Sequence, residues 1–153
     1  MEEKIDFYNK SDYVDTKRGN ILSKSTSLQG IRNIQPSGKV IIEENCIIRG
    51  DIASILLGKY VIIKKKTIIH PSHRAKKGLV IFITLTIGNH VLIGKNCIIQ
   101  AFKIGQNVEI GRNCVLSHRC IIGDNVIIKD YSTIPADMVI PSFSIYGGNP
   151  AKF

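Results

Sequence analysis

Few side chains in this 153-residue chain could do chemistry, and their spacing limits what that chemistry can be. Cys46, Cys97, Cys114 and Cys120 could hold zinc or form disulfides. No two of them make a CxxC pair, the spacing that structural zinc sites and redox motifs use. His70, His90 and His118 could ligate a metal or act as general bases. No carboxylate stands near His90 or His118 in sequence to orient an imidazole for proton transfer. Much of the net charge of +9 lies in Lys64, Lys65, Lys66, Arg74, Lys76 and Lys77. Such a cluster can meet nucleic acid or an acidic partner. No aromatic residues interleave with these lysines to stack on bases. The cluster therefore reads as a solvated turn and loop, and no nucleic-acid partner is expected.

The elements that carry these groups are set by a period of six. An aliphatic residue recurs at Leu57, Ile63 and Ile69, then at Ile87, Ile93 and Ile99. It returns at Ile104, Ile110, Leu116, Ile122, Ile128, Ile134 and Ile140. A loop interrupts the series after Ile69, and the unit at residues 99–103 is one residue short. Gly58, Gly88, Gly94, Gly105, Gly111 and Gly123 each follow one of these aliphatics directly. A short fixed period decides architecture ahead of local propensity, and this one predicts an all-β parallel β-helix. With the aliphatic at position one, position five is small or β-branched: Val61, Thr67, Val91, Cys97, Val108, Cys114, Cys120, Val126 and Ser132. Side chains two apart on a strand share a face, so positions five, six and one point in, out and in. Positions two to four carry Gly, Asn, Asp and Lys and make the turn. Three units close a triangular coil, as the 18-residue steps from Ile104 to Ile122 and from Ile122 to Ile140 show. All four cysteines fall at position five, Cys46 with Ile42 opening its unit. There a cysteine behaves as a small hydrophobe. The thiols are expected to be buried and reduced, with no zinc or disulfide.

The length predicts one domain. Residues 1–30 lack the repeat and read as a capping or docking segment; the β-helix is expected over 31–146, with a loop at about 70–86 and an end segment at 147–153. The stretch Leu79-Val80-Ile81-Phe82-Ile83 within that loop is too apolar to stand in solvent and should lie against a coil or a partner. No run approaches the roughly 20 apolar residues of a membrane helix. The opening MEEKIDFYNK is charged and lacks a signal peptide's apolar core, which points to the cytoplasm.

Two enzyme families share this architecture and some of these residues. Arg49-Gly50-Asp51, the following IASILLG and then His70 resemble the γ-class carbonic anhydrases. The resemblance implies His70 as a zinc ligand, with two more histidines in the stretch Gly94-Lys95-Asn96-Cys97-Ile98-Ile99-Gln100-Ala101. Lys95 and Gln100 stand at those positions, and catalytic zinc needs three protein ligands with an open site. The degenerate set His70, Lys95 and Gln100 is therefore expected to hold no metal. Gly147-Gly148-Asn149-Pro150-Ala151-Lys152 resembles the segment that follows the last coil of hexapeptide acyltransferases. That family places a catalytic histidine near a coenzyme A groove, and His90 and His118 are the candidates here. The alternative is that the segment merely ends the coils.

The non-enzymatic features resemble a third family more closely. YNKSDYVDT, NIQPSGKVII, IIRGDIASILLGKYVIIKKKTIIHP and KGLVIFITLTIGNHVLIG are similar to the dynactin subunit 5 family, from about residue 8 to 147. YNKSDYVDT lies outside the repeat and cannot arise from shared hexads. The resemblance implies a left-handed β-helix and a non-enzymatic subunit without cofactors, cytoplasmic and cytoskeleton-associated. It further implies pairing with dynactin subunit 6, together with the pointed-end actin-related protein and the large zinc-containing subunit. Dynein–dynactin cargo engagement is the implied role. Family members continue past the last coil into a tail with a helix, whereas this sequence stops at Phe153.

The repeat also predicts an interface. If Ile42, Ile63, Ile93, Ile110 and Ile128 share an edge, the outward residues of the next face are Ile47, Ile68, Ile98, Val115 and Thr133. The first four form an apolar column expected to bind a partner, or a second copy when the chain is alone. Another face is broken by Glu109. The open ends of the coil stack are the competing docking mode.

Overall fold

The computed structural model describes residues 12–16 and 18–153. MEEKIDFYNK and the opening of YNKSDYVDT lie outside the described residues.

Strands of two or three residues wind around three corners and stack into a parallel β-solenoid of about six coils. Each coil contributes one strand to each of three faces. The first face runs through Ile41–Ile42, Ile62–Ile63, Val91–Ile93, Val108–Ile110 and Ile127–Ile128. The second runs through Ile47–Arg49, Ile68–Ile69, Ile98–Ile99, Val115–Leu116 and Thr133–Ile134. The third holds Ile55–Leu57, Leu85–Ile87, Lys103–Ile104, Ile121–Ile122 and Val139–Ile140. The aliphatic series and the position-five series both point inward: Ile48, Ile63, Ile69, Ile93, Ile99 and Ile104 are sealed from solvent. Burying one such side chain contributes about 1.5–3 kcal/mol, so the stack is held by ladders of isoleucine.

The corners explain the turn residues. Position four of the six-residue units adopts left-handed backbone, from Lys39 and Asn45 through Asn96 and Asn113 to Phe143. Asparagine tolerates this region best, yet His90, Tyr60 and Arg119 occupy it as well. Position two is crowded instead. A Cβ on Gly94 would lie 2.6 Å from the Gly111 carbonyl carbon one coil on. Glycine there lets successive turns stack in contact.

The solenoid begins earlier than the repeat suggests. Ile21–Ser23 pairs in parallel with Ile41–Ile42, Ser27–Gln29 with Ile47–Arg49, and Ile34–Pro36 with Ile55–Leu57. The boundary expected at residue 30 falls inside this first coil. Leu22 and Leu28 keep the six-residue step and Thr26 fits its position-five slot as Thr67 does, but Asn20 fills another such slot and breaks the small or β-branched pattern. Their polar atoms are satisfied: Asn20 Oδ1 accepts from Val40 N at 3.0 Å, and Thr26 Oγ1 donates to Glu43 O at 2.9 Å. Tyr13–Asp15 then crosses antiparallel to Ile21–Ser23. An apolar hollow of about 370 Å³, lined by Leu22, Leu28, Ile34 and Val40 among others, opens at this end of the stack.

The interrupting loop is a β-hairpin. His73–Lys76 pairs antiparallel with Leu79–Phe82 through a Lys77-Gly78 turn in which both residues have positive φ, 50° and 75°. A two-residue hairpin turn of type I′ demands positive φ at both positions. The expectation that its apolar strand lies against a coil does not hold within the chain, for Leu79, Val80, Ile81 and Phe82 are all exposed.

Candidate functional site

The second face and its two corners gather most of the residues in question. Its register runs Ile47, Ile68, Ile98, Val115, Thr133, each opposite the next across successive coils. Parallel pairing keeps equivalent side chains stacked, so the four aliphatics stand in one outward column. Ile98 is 39 % exposed and its neighbours are partly covered. On the first face the equivalent column passes Ile62, Leu92, Glu109 and Ile127, and Glu109 interrupts it.

Lys95 and Gln100 lie at opposite ends of the strand Ile98–Ile99, at different corners. Gln100 stacks beyond His70, because His70 N donates to Ile99 O at 2.9 Å. His70 Nδ1 sits 2.8 Å from the Pro71 carbonyl. An ammonium cannot ligate a cation while charged, and a neutral amide is a poor ligand for zinc. These three residues do not fit the group that the carbonic anhydrase resemblance implies. Among the described residues no group of three or more His, Cys, Asp or Glu could hold a metal. Arg49 and Asp51 of the RGD stretch bind each other through two contacts of 2.9 Å.

The corner after the second face brings together residues far apart in sequence. The His73 ring meets His118 edge-on at 5.3 Å between centroids. Arg119 clamps the hairpin root: its backbone N donates to Ser72 Oγ at 3.0 Å and its Nη1 to His73 O at 2.9 Å. The same guanidinium holds Asp137 at 2.7 and 2.9 Å, which keeps that carboxyl below the usual carboxylate range. The Ser72 hydroxyl also donates to the Gln100 carbonyl. Sequence reasoning missed Ser72, His73 and Arg119, whose roles depend only on coil register. His118 Nδ1 is buried without a hydrogen-bond partner among the described residues. Burial, then the charges of His73, Arg119 and His70, lower the His118 pKa. His90 lies at another corner, stacked on Tyr60 at 4.9 Å.

The cysteines are buried and unpaired, as their slot predicts. They are more than small hydrophobes, however. Cys46 Sγ donates to Lys64 O, Cys97 Sγ to Gly111 O and Cys114 Sγ to Lys129 O, at 3.0 to 3.1 Å. The end segment closes the stack: Thr133 N donates to Gly148 O at 3.0 Å and Ala151 N to Thr133 O at 2.9 Å, across a cis Asn149–Pro150 bond. Its acyltransferase-like sequence therefore does structural duty here.

Solved structures with the same architecture include an N-acyltransferase from Bacillus cereus in complex with dTDP and coenzyme A. It is 16 % identical with a TM-score of 0.71, covering 87 % of this chain and 78 % of that one. A hexapeptide transferase family protein from Anaplasma phagocytophilum is 22 % identical with a TM-score of 0.61, covering 95 % of this chain and 84 % of that one. At these identities the likeness establishes the fold alone. A mitochondrial γ carbonic anhydrase 2 from Arabidopsis thaliana is 26 % identical over 144 residues, 88 % of this chain and 51 % of that protein. Dynactin subunit 5 from Dictyostelium discoideum is 44 % identical over 105 residues, 69 % of this chain and 53 % of that protein. The chain thus spans about half the length of these curated relatives. No helix among the described residues is long and apolar enough to cross a membrane. The family model described as Dynactin subunit 5 matches residues 1–153, end to end, and the chain belongs to that family.

Proposed function

We propose that the chain is a non-enzymatic scaffold subunit of the dynactin pointed-end complex, cytoplasmic and cytoskeleton-associated, that supports cargo engagement by dynein–dynactin. Its partners in this reading are dynactin subunit 6, the pointed-end actin-related protein and the large zinc-containing subunit. The observation that carries the proposal is the outward column Ile47, Ile68, Ile98 and Val115, aligned across four successive coils. Contiguous apolar surface on a soluble protein marks an interface more often than chance exposure does. Enzymatic readings find less support. The zinc positions do not fit a metal, and among the described residues His118 Nδ1 has no hydrogen-bond partner to orient its ring, Asp137 being bound instead to Arg119.

The test is the pair Ile68→Lys and Ile98→Lys in one chain. Both side chains point outward, so circular dichroism and melting should match the wild type while pairing with purified dynactin subunit 6 is lost. Wild-type affinity in the double variant would sink the lateral reading. The hollow lined by Leu22, Leu28 and Ile34 favours a second docking mode, end-on at the first coil. Loss of pairing in Leu28→Lys alone would select that mode instead.

A further inference from the structure

All of the net charge sits in one stretch of chain. Residues 52–108 carry nine lysines and arginines and no aspartate or glutamate. Outside it, twelve cations face twelve carboxylates. The coils gather most of these cations at the two corners that bound the second face. At the corner before it, backbone hydrogen bonds stack the turns: Lys66 N to Glu44 O, Asn96 N to Lys65 O and Asn113 N to Lys95 O, at 2.9 to 3.1 Å. Lys65 and Lys95 are therefore successive steps of one column, with Glu44 on one side and Arg112 on the other. Lys64 reaches Glu43 at 3.6 Å, and Arg112 reaches Asp130 at 3.6 Å. Lys65, Lys66 and Lys95 have no carboxylate within ion-pair distance among the described residues. At the corner after the face, Arg49 and Arg119 are taken by Asp51 and Asp137. The hairpin rooted there exposes Arg74, Lys76 and Lys77. The apolar column lies between these two cationic rims.

We propose that the second face docks a different protein whose apolar strip is flanked by carboxylates, and that the same rims prevent two copies of this chain from pairing through it. The proposal rests on the reading of this face as the partner surface. A two-fold pair through one face has two arrangements. With coils parallel, the lysine corner of each copy meets the hairpin corner of the other. With coils antiparallel, lysine corner meets lysine corner. Both set cation against cation, and like charges juxtaposed across an interface exclude the wrong partner. A partner rimmed with carboxylates removes that repulsion and is steered to the face by the same field.

The experiment uses the purified full chain with purified dynactin subunit 6, at low and high salt, and the chain alone by sedimentation. The variants are Lys65→Glu with Lys95→Glu, and Arg74→Glu with Lys76→Glu. All four side chains project from turns or the hairpin, so the fold should persist. Each pair should weaken binding by about tenfold or more at low salt, with the gap closing at high salt as the charges are screened. The chain alone should stay monomeric at low salt. Suppose instead that Ile68→Lys with Ile98→Lys abolishes pairing while both charge reversals bind as wild type does. The charge proposal is then overturned and the face reading stands. A low-salt homodimer that Ile68→Lys with Ile98→Lys dissolves would overturn it as well. If neither the isoleucines nor the cations matter, both readings fall together.

Discussion

The thiol of Cys97 donates to the backbone carbonyl of Gly111, one coil along, at 3.1 Å. The same link recurs up the corner between the first and second faces. Thr26 Oγ1 donates to Glu43 O at 2.9 Å, Cys46 Sγ to Lys64 O at 3.0 Å, Thr67 Oγ1 to Gly94 O at 2.7 Å and Cys114 Sγ to Lys129 O at 3.1 Å. Position five on this corner is thus filled by side chains small enough for the inward slot and able to donate. Valine fits the same slot at Val61, Val91 and Val108 on another corner but cannot make the bond.

Thr67 gives the cleanest measure of this column. Thr67→Val keeps the shape and removes the hydroxyl, which leaves the Gly94 carbonyl without its side-chain donor. The expected loss is about 1–3 kcal/mol in denaturant unfolding, the cost of an unsatisfied buried group. Thr67→Cys, which copies the neighbouring slots, should lose less. Equal stability of Thr67→Val and wild type would mean that the side-chain bonds contribute nothing between coils.

Burial makes Cys46 and Cys120 unreactive in the native state. It raises the Cys46 pKa to about 11 and the Cys120 pKa to about 12. The contact between the Cys97 and Cys114 thiols pushes Cys97 up, with burial acting in the same sense, and pulls Cys114 down against its burial. The thiolate is the reactive form, so little of it exists at Cys46, Cys97 or Cys120 near neutral pH, while Cys114 is kept from reagents by its burial alone. Labelling by a thiol reagent should be slow in buffer and follow the unfolding transition as denaturant is added. Rapid native-state labelling of Cys46 or Cys97 would contradict the inward register.

Much of this arrangement is legible in the sequence, because a β-helix turns a linear period directly into contacts. The six-residue step fixes which isoleucines face inward, and the sum of three steps fixes that Thr133 stands next to Val115. Ile68 comes to stand between Ile47 and Ile98 only once the long turn after Ile48 and the loop after Ile69 are set aside as insertions. The first coil is hidden because Asn20 stands in a position-five slot, where its amide oxygen accepts from the Val40 backbone in place of the packing that a small or β-branched residue would make. The hairpin is missed for a different reason. Its Lys77-Gly78 turn is a short local signal lying between a basic and an apolar segment, neither of which alternates. The meeting of His73 with His118 is beyond sequence patterning altogether. It depends on a non-repeating insertion running along the corner past one coil to the next.

That insertion is held at its root by Arg119, which binds Ser72 and His73 while its guanidinium is steadied by Asp137. Arg119→Ala removes the side-chain part of the clamp and leaves the backbone link to Ser72. The coils should stay folded, while the hairpin opens more often. Local opening governs proteolysis when cleavage is slow, so trypsin should cut after Lys76 or Lys77 several-fold faster than in wild type. Unchanged cleavage would show that the hairpin is rigid without Arg119.

His118 should make stability pH-dependent on the acid side. Burial comes first among the causes that lower its pKa, followed by the charges of His73, Arg119 and His70; Asp137 acts in the opposite sense. The unfolded chain, with an ordinary histidine near pH 6.5, then binds a proton more readily than the folded one. Stability rises with pH wherever the unfolded state binds more protons. The contribution of His118 is therefore complete above about pH 6.5 and is lost as pH falls toward its folded value. Asp51 and Asp137 do not act in this window, because their pKa values are lowered from an already acidic starting point. His118→Phe keeps a ring against His73 and removes the titration. The melting temperature of wild type should fall between about pH 7.5 and about pH 5.5, and that of His118→Phe should fall less. Parallel pH profiles for the two proteins would assign the acid sensitivity to other groups.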